Sequence, residues 1–232
     1  MLEIRRSHER GHADHGWLNS YHSFSFADYY DTAHMRFGAL RVINEDRIQP
    51  GMGFGTHGHR DMEIVSYVLE GALEHQDSMG NGSVIRPGDV QRMTAGRGVT
   101  HSEYNPSSTQ GTHFLQIWIM PRTLGARPGY EQKHFSSYDR RGRLALVASS
   151  DGRDGSVTVD QDVSLYAGLF DGQEQAELCV APGRRVYVYI ARGKLSVNGN
   201  PLAAGDALKA VDPKGLALSA GEDAEVLIFD LA

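Results

Sequence analysis

Apolar residues along this chain gather into short blocks separated by glycine turns. Residues 65–69, 114–119, 186–190, 194–197 and 226–229 are the clearest blocks, and most are rich in β-branched and aromatic side chains. Runs of that length bounded by turn residues predict strands. No long stretch repeats its apolar positions every 3.6 residues, so nothing competes for a helical reading. Many short strands in one chain predict an all-β sandwich or barrel. Short helices or helical turns are expected only between residues 121 and 130.

The pattern also repeats. Tyr67-Val68-Leu69-Glu70-Gly71-Ala72-Leu73 matches Tyr189-Ile190-Ala191-Arg192-Gly193-Lys194-Leu195 in kind. Further on, Arg86-Pro87-Gly88-Asp89-Val90 matches Ala203-Ala204-Gly205-Asp206-Ala207. In each half a strand leads through a glycine turn to a second strand, and Gly-Asp follows. This predicts two copies of one β-barrel, joined near residues 130 to 145. The expected domains are residues 1–135 and 136–232.

Composition adds limits. The 232 residues are 40% hydrophobic and 22% charged, an ordinary globular balance. A net charge of -6 argues against non-specific binding to nucleic acid or membrane surfaces. The basic run Arg140-Arg141-Gly142-Arg143 is short, stands beside Asp139, and is expected to be a solvated loop. One cysteine, Cys179, permits no intrachain disulfide and fits a reducing compartment. The opening residues show no apolar secretory core, and no segment reaches the ~18 consecutive apolar residues of a membrane helix. A cytoplasmic protein is expected.

The chemistry lies in the histidines. All eleven stand at or before His134. His57-Gly58-His59 and His101-Ser102-Glu103 each carry polar ligands at i and i+2, which a strand places on one face. Two such strands side by side supply three imidazoles and a carboxylate, a ligand set for one divalent transition metal. Four ligands on an octahedral ion leave up to two open positions. Glu63 competes with Glu103, because it shares the parity of His57 and His59 if that strand continues. His75 and His113 are expected to be hydrogen-bonded wall or surface residues. Laying Gly193 on Gly71 puts Cys179 at the place of His57 and Ala181 at that of His59, so only the first barrel can hold this metal.

These residues also carry a resemblance. Gly51-Met52-Gly53-Phe54-Gly55-Thr56-His57-Gly58-His59-Arg60-Asp61-Met62-Glu63 resembles the first motif of cupins, although Gly71 falls one residue later than usual. Gly98-Val99-Thr100-His101-Ser102-Glu103-Tyr104-Asn105 resembles the end of the second motif, with Gly96 in place of the expected proline. Within the cupins the chain resembles the pirins, and more closely the bacterial pirin-like quercetinases. That resemblance rests on Trp17-Leu18, His22-Ser23-Phe24-Ser25-Phe26, His75-Gln76-Asp77-Ser78-Met79-Gly80-Asn81, Pro87-Gly88-Asp89-Val90-Gln91 and Met93-Thr94-Ala95-Gly96-Arg97-Gly98-Val99. The family usually has proline within its His-x-His, where this chain has Gly58.

The resemblance implies a bicupin whose first barrel binds one metal through His57, His59, His101 and Glu103, and it thereby favours Glu103 over Glu63. Iron(II) is the expected metal, with nickel, manganese, cobalt, copper or zinc as substitutes. It implies quercetin 2,3-dioxygenase activity on a flavonol with dioxygen, releasing carbon monoxide; a carboxylate beside the metal is able to take the flavonol proton, which makes Glu103 the candidate catalytic base. Phe54 and the aromatics of residues 17–26 are candidates to line a pocket for a flat ring system, although plain core packing is the better reading of any single one. The alternatives are a metal-binding regulatory protein acting through a protein partner, and a different cupin enzyme such as a zinc sugar isomerase. A monomer is expected.

Overall fold

The computed structural model describes residues 2–232, and strands make up nearly all its regular structure. The chain divides into two compact units. One comprises Gly11–His134 and Val157–Gln161, the other the residues up to Arg10 with Phe135–Ser156 and Asp162–Ala232. Among the described residues no helix is long and apolar enough to cross a membrane.

The unit built on Gly11–His134 contains two antiparallel sheets. The smaller runs Gly53–His59, Val99–Tyr104, Leu73–Asp77, Gly82–Ile85. The larger runs Gly129–His134, Asp89–Thr94, Glu63–Glu70, Thr112–Ile119, Leu40–Ile48, Leu18–His22, Gly11–Asp14. Leu18, Ile48, Val68, Leu73, Ile85 and Phe114 form one buried cluster. Residues paired across an antiparallel ladder share a face of the sheet. On the larger sheet that rule builds a polar row, since His22 pairs with Asn44, Asn44 with Gln116, Gln116 with Ser66, and Ser66 with Gln91. All five are buried. Buried polar groups are costly unless they are used, so this row marks where the barrel departs from a plain core.

In the other unit the order is Leu2–Arg5, Ala207–Val211, Arg185–Val197, Gly215–Leu231, Val163–Phe170, Leu144–Ser149, with Ala176–Cys179 beside Gly215–Leu231 and Asn200–Ala203 beside Arg185–Val197. Val186, Val188 and Ile190 alternate into its core against Val226 and Ile228. Three register shifts between Ile190 and Ser196 bend the long strand, as bulges do.

The repeat is visible in matching turns. Gly71 (φ 72°) and Gly193 (φ 62°) are both left-handed, and a Cβ on either would strike a neighbouring backbone carbonyl. In each Gly-Asp turn the aspartate closes on itself alike. Arg86 N donates to Asp89 Oδ2 at 2.8 Å, and Ala203 N donates to Asp206 Oδ2 at 3.1 Å. The chain is a two-domain all-β cupin fold. Cys179, aligned with His57 by the repeat, is exposed and pairs with Gly215.

Two expectations are corrected. Residues 121–128 form turns rather than helix, because Pro121 and Pro128 lack donors and Gly125 is left-handed (φ 68°). The α-helical turn is Ser137–Arg140, capped by Ser136 and Asp139. Nor is the basic run wholly solvated: Arg140 is buried and bonds Glu225 at 2.8 Å, while Arg141 reaches Glu174 at 3.5 Å.

Candidate metal centre

His57 and His59 stand on the strand Gly53–His59, and His101 and Glu103 on its neighbour Val99–Tyr104. The ladder sets His101 opposite His57 and Val99 opposite His59. Ligand nitrogens of the three histidines lie within 4.8 Å of one another. The closest approach is His101 Nε2 to His57 Nε2, 3.1 Å. A register shift between His101 and Glu103 moves the carboxylate, which lies opposite Phe54 on one side and His75 on the other. A second group, His75, His101 and Glu103, is likewise within 4.8 Å. His101 belongs to both groups: Nε2 faces His57 and Nδ1 lies 3.4 Å from His75 Nδ1. Among the described residues, these are the two convergent ligand groups, and both belong to the first barrel.

The donor set fits a metal ion. His57 Nδ1–H donates to Gly55 O at 2.8 Å, which turns Nε2 toward the cluster. Burial, then the neighbouring His57, lowers His59 to about 4, and burial with the surrounding histidines lowers His101 to about 3. Those two rings therefore stay neutral at neutral pH. His59 Nε2 is buried and has no hydrogen-bond partner. Lone pairs aimed at one point, with an orphan among them, are what a cation satisfies.

Glu103 is held from below by the polar row. Ser66 Oγ donates to Oε1 at 3.0 Å and Gln116 Nε2 to Oε2 at 2.7 Å. Burial raises its pKa to about 7, with Ser66 and Gln116 pulling down and Asp46 pushing up. Gln116→Leu removes one of the two donors that orient the carboxylate. Its expected effect is a metal affinity ~10- to 100-fold weaker with the fold retained, read by calorimetric titration and far-UV dichroism.

Glu63 lies elsewhere. It stands on the larger sheet, buried, where it accepts from Thr94 Oγ1 at 2.9 Å, and no convergent group includes it. Burial first of all raises it to about 7. Its protonated form is the one the fold prefers, so it carries no penalty below the unfolded carboxyl value near 4.5 and a growing one as pH rises through 7. The shift corresponds to about 3 kcal/mol. Glu63→Gln should therefore exceed wild type in stability at pH 8 by about that amount and match it at pH 4.5, as urea unfolding at the two pH values would show.

His113 is buried against Glu45 Oε1 at 3.0 Å. His75 is also buried, 3.2 Å from Asp77 Oδ2, the hydrogen-bonded wall residue expected, while its place behind His101 is a feature that sequence reasoning missed. The signal was present, since His75-Gln76-Asp77 has the same i, i+2 spacing as the two ligand pairs.

Beside the histidines opens a cavity of about 820 Å³. Trp17, Phe26, Tyr29, Phe54 and Trp118 line it together with His57 and His59. Trp17, Phe26 and Phe54 are aromatics that the sequence placed there, whereas Phe24 is packed in the core at 1% exposure. Trp118 and Tyr29 were missed. Trp118 follows Gln116 at i+2 and so shares its face.

Residues 3–119 match the Pirin family model, and residues 146–231 match that of the quercetinase C-terminal cupin domain. A quercetin 2,3-dioxygenase of Escherichia coli strain K12 is 50% identical over 231 residues, covering 100% of this chain and 99% of that protein. The crystal structure of the bacterial pirin YhhW from Escherichia coli in complex with nickel(II) superposes with a TM-score of 0.94 at 50% identity, covering 100% of this chain and 99% of that one. YhaK, also from Escherichia coli, gives a TM-score of 0.76 at 27% identity over 95% of this chain and 97% of its own.

Proposed function

Because this chain belongs to the pirin family, we propose that it is a metal-dependent flavonol dioxygenase, with quercetin as substrate and with His57, His59, His101 and Glu103 holding the metal. The observation that carries this reading is the convergence of three imidazoles, His57, His59 and His101, beside a cavity with aromatic walls, with the buried carboxylate of Glu103 grouped with His101 on its other side. Relatives named quercetin 2,3-dioxygenase and a nickel(II) complex of a bacterial pirin support it. Iron(II) is our assignment for the native metal, since three nitrogens and one oxygen suit it as well as nickel(II).

When bound, the metal supplies a Lewis acid that lowers the pKa of a coordinated flavonol hydroxyl. Glu103 takes the proton of the 3-hydroxyl on its carboxylate. A carboxylate near 7 is poised to accept a proton at neutral pH and give it up again. Ser66 and Gln116 hold that carboxylate in place. Trp17, Phe54 and Trp118 sandwich flat rings and keep water from the anion. Both atoms of dioxygen enter the ring-opened ester, and one ring carbon leaves as carbon monoxide.

The test is turnover. Protein loaded separately with iron(II) and nickel(II), given quercetin under oxygen, should lose flavonol absorbance and evolve carbon monoxide in equal amounts. Loss of neither with any divalent metal ends the proposal. Recovery of a stoichiometric, metal-dependent protein partner from such an inactive sample would favour the regulatory alternative.

A further inference from the structure

The cavity has a polar end that the metal does not need. Ser20, His22, Asn44 and Asp46 all line it, and each is at least 96% buried. They come from two neighbouring strands whose register pairs Ser20 with Asp46 and His22 with Asn44. Ser20 Oγ donates to Asp46 Oδ1. His22 Nε2 lies 2.9 Å from the same oxygen. A chain of hydrogen bonds therefore links His22, Ser20 and Asp46. Beside it, Asn44 Oδ1 is buried and meets no donor at all. Among the described residues no lysine or arginine lines this cavity.

An unpaired buried acceptor is costly, and a donor on a bound molecule would relieve it. No protein group donates to Asn44 Oδ1. The aromatic walls dictate a flat occupant, and acceptors set between them suit O–H groups on its ring. The location is close to the metal centre, because Asn44 is the ladder partner of Gln116, which holds Glu103.

Building on the flavonol reading above, we propose that Asn44 and Asp46, with Ser20 and His22 behind them, form a hydroxyl-recognition subsite that binds a second phenolic hydroxyl of the substrate, one other than the hydroxyl at the metal. The subsite makes the enzyme select polyhydroxylated flavonols over those bearing only the 3-hydroxyl. A site built to hydrogen-bond a hydroxyl rejects an analogue lacking it, because its own buried groups are then left unpaired.

Calorimetric titration without oxygen tests this on nickel(II)-loaded protein, with quercetin and 3-hydroxyflavone as probes. The second probe keeps only the hydroxyl assigned to the metal. The readout is the ratio of the two affinities in wild type compared with the same ratio in Asn44→Leu and in Asp46→Asn. Metal content and thermal unfolding establish that each variant is folded and loaded. The expected result is that the ratio falls at least ~10-fold in Asn44→Leu, the worth of one buried hydrogen bond, and falls also in Asp46→Asn. A ratio unchanged in both variants overturns the subsite and leaves the flavonol reading standing. If neither probe binds loaded wild type, the flavonol reading fails, and the subsite fails with it.

Discussion

His101→Ala is expected to leave the protein folded but without stoichiometric metal, and flavonol turnover should vanish with it. Of the three clustered histidines, His101 is the most buried, at 2% exposure. Its two ring nitrogens reach both convergent groups, Nε2 toward His57 and Nδ1 toward His75. Losing a group that merely supports a ligand costs ~10- to 100-fold in metal affinity, so losing this ligand should cost well over ~100-fold. His113→Ala is the control. His113 is a buried histidine bonded to Glu45, outside both groups, and its loss should cost stability without changing metal content. Elemental analysis and calorimetric titration of both variants separate the two outcomes. Full metal occupancy in His101→Ala would remove the ground for the centre as built.

The ligand pairs were legible because strand geometry turns i, i+2 spacing into a shared face, and a short motif carries that information whole. Which carboxylate joins them was not legible from spacing, since parity allowed Glu63. The structure separates the two. Glu63 stands on the larger sheet under Thr94, while Glu103 shares a group with His101. That outcome depends on the strand ending between His59 and Glu63, where Asp61 adopts a positive φ of 50°. The polar row beneath Glu103 was illegible for a different reason. Its members, His22, Asn44, Gln116, Ser66 and Gln91, stand on five different strands, and only the register of those strands makes them neighbours. The repeat was readable from Gly-Asp turns because the aspartate closes a local bond three residues back, a contact that needs no tertiary information.

The same motif contains a second prediction, concerning glycines rather than ligands. Gly53, Gly55 and Gly58 look alike in sequence, yet the structure distinguishes them. A Cβ on Gly53 would lie 2.3 Å from Glu103 O, 2.5 Å from Tyr104 Cα and 2.7 Å from Tyr104 Cδ1. On Gly55 its nearest neighbour is Tyr104 Oη at 3.7 Å, and on Gly58 it meets Thr100 Cγ2 and Val99 O at 3.8 Å. The obstacle at Gly53 is mostly backbone, which cannot rotate away as a side-chain tip can. Gly53→Ala must therefore push the Gly53–His59 strand off its partner at the ladder position Gly53↔Tyr104, next to the Glu103↔Phe54 pair. Overpacking of this kind costs about 1–3 kcal/mol. Its effect on function should be larger than that figure suggests, because the displaced strands are the two that carry His57, His59, His101 and Glu103. Metal affinity is expected to fall ~100-fold or more in Gly53→Ala, comparable to losing supporting residues of the centre, while Gly55→Ala and Gly58→Ala remain within a few-fold of wild type. Thermal unfolding and metal titration of the three variants decide it. Equal behaviour across the three would show that the close approach at Gly53 does not set the spacing between the ligand strands. Failure of Gly53→Ala alone would show that this glycine is required for the backbone contact that brings the ligands together, and that the glycine inside His-x-His is not.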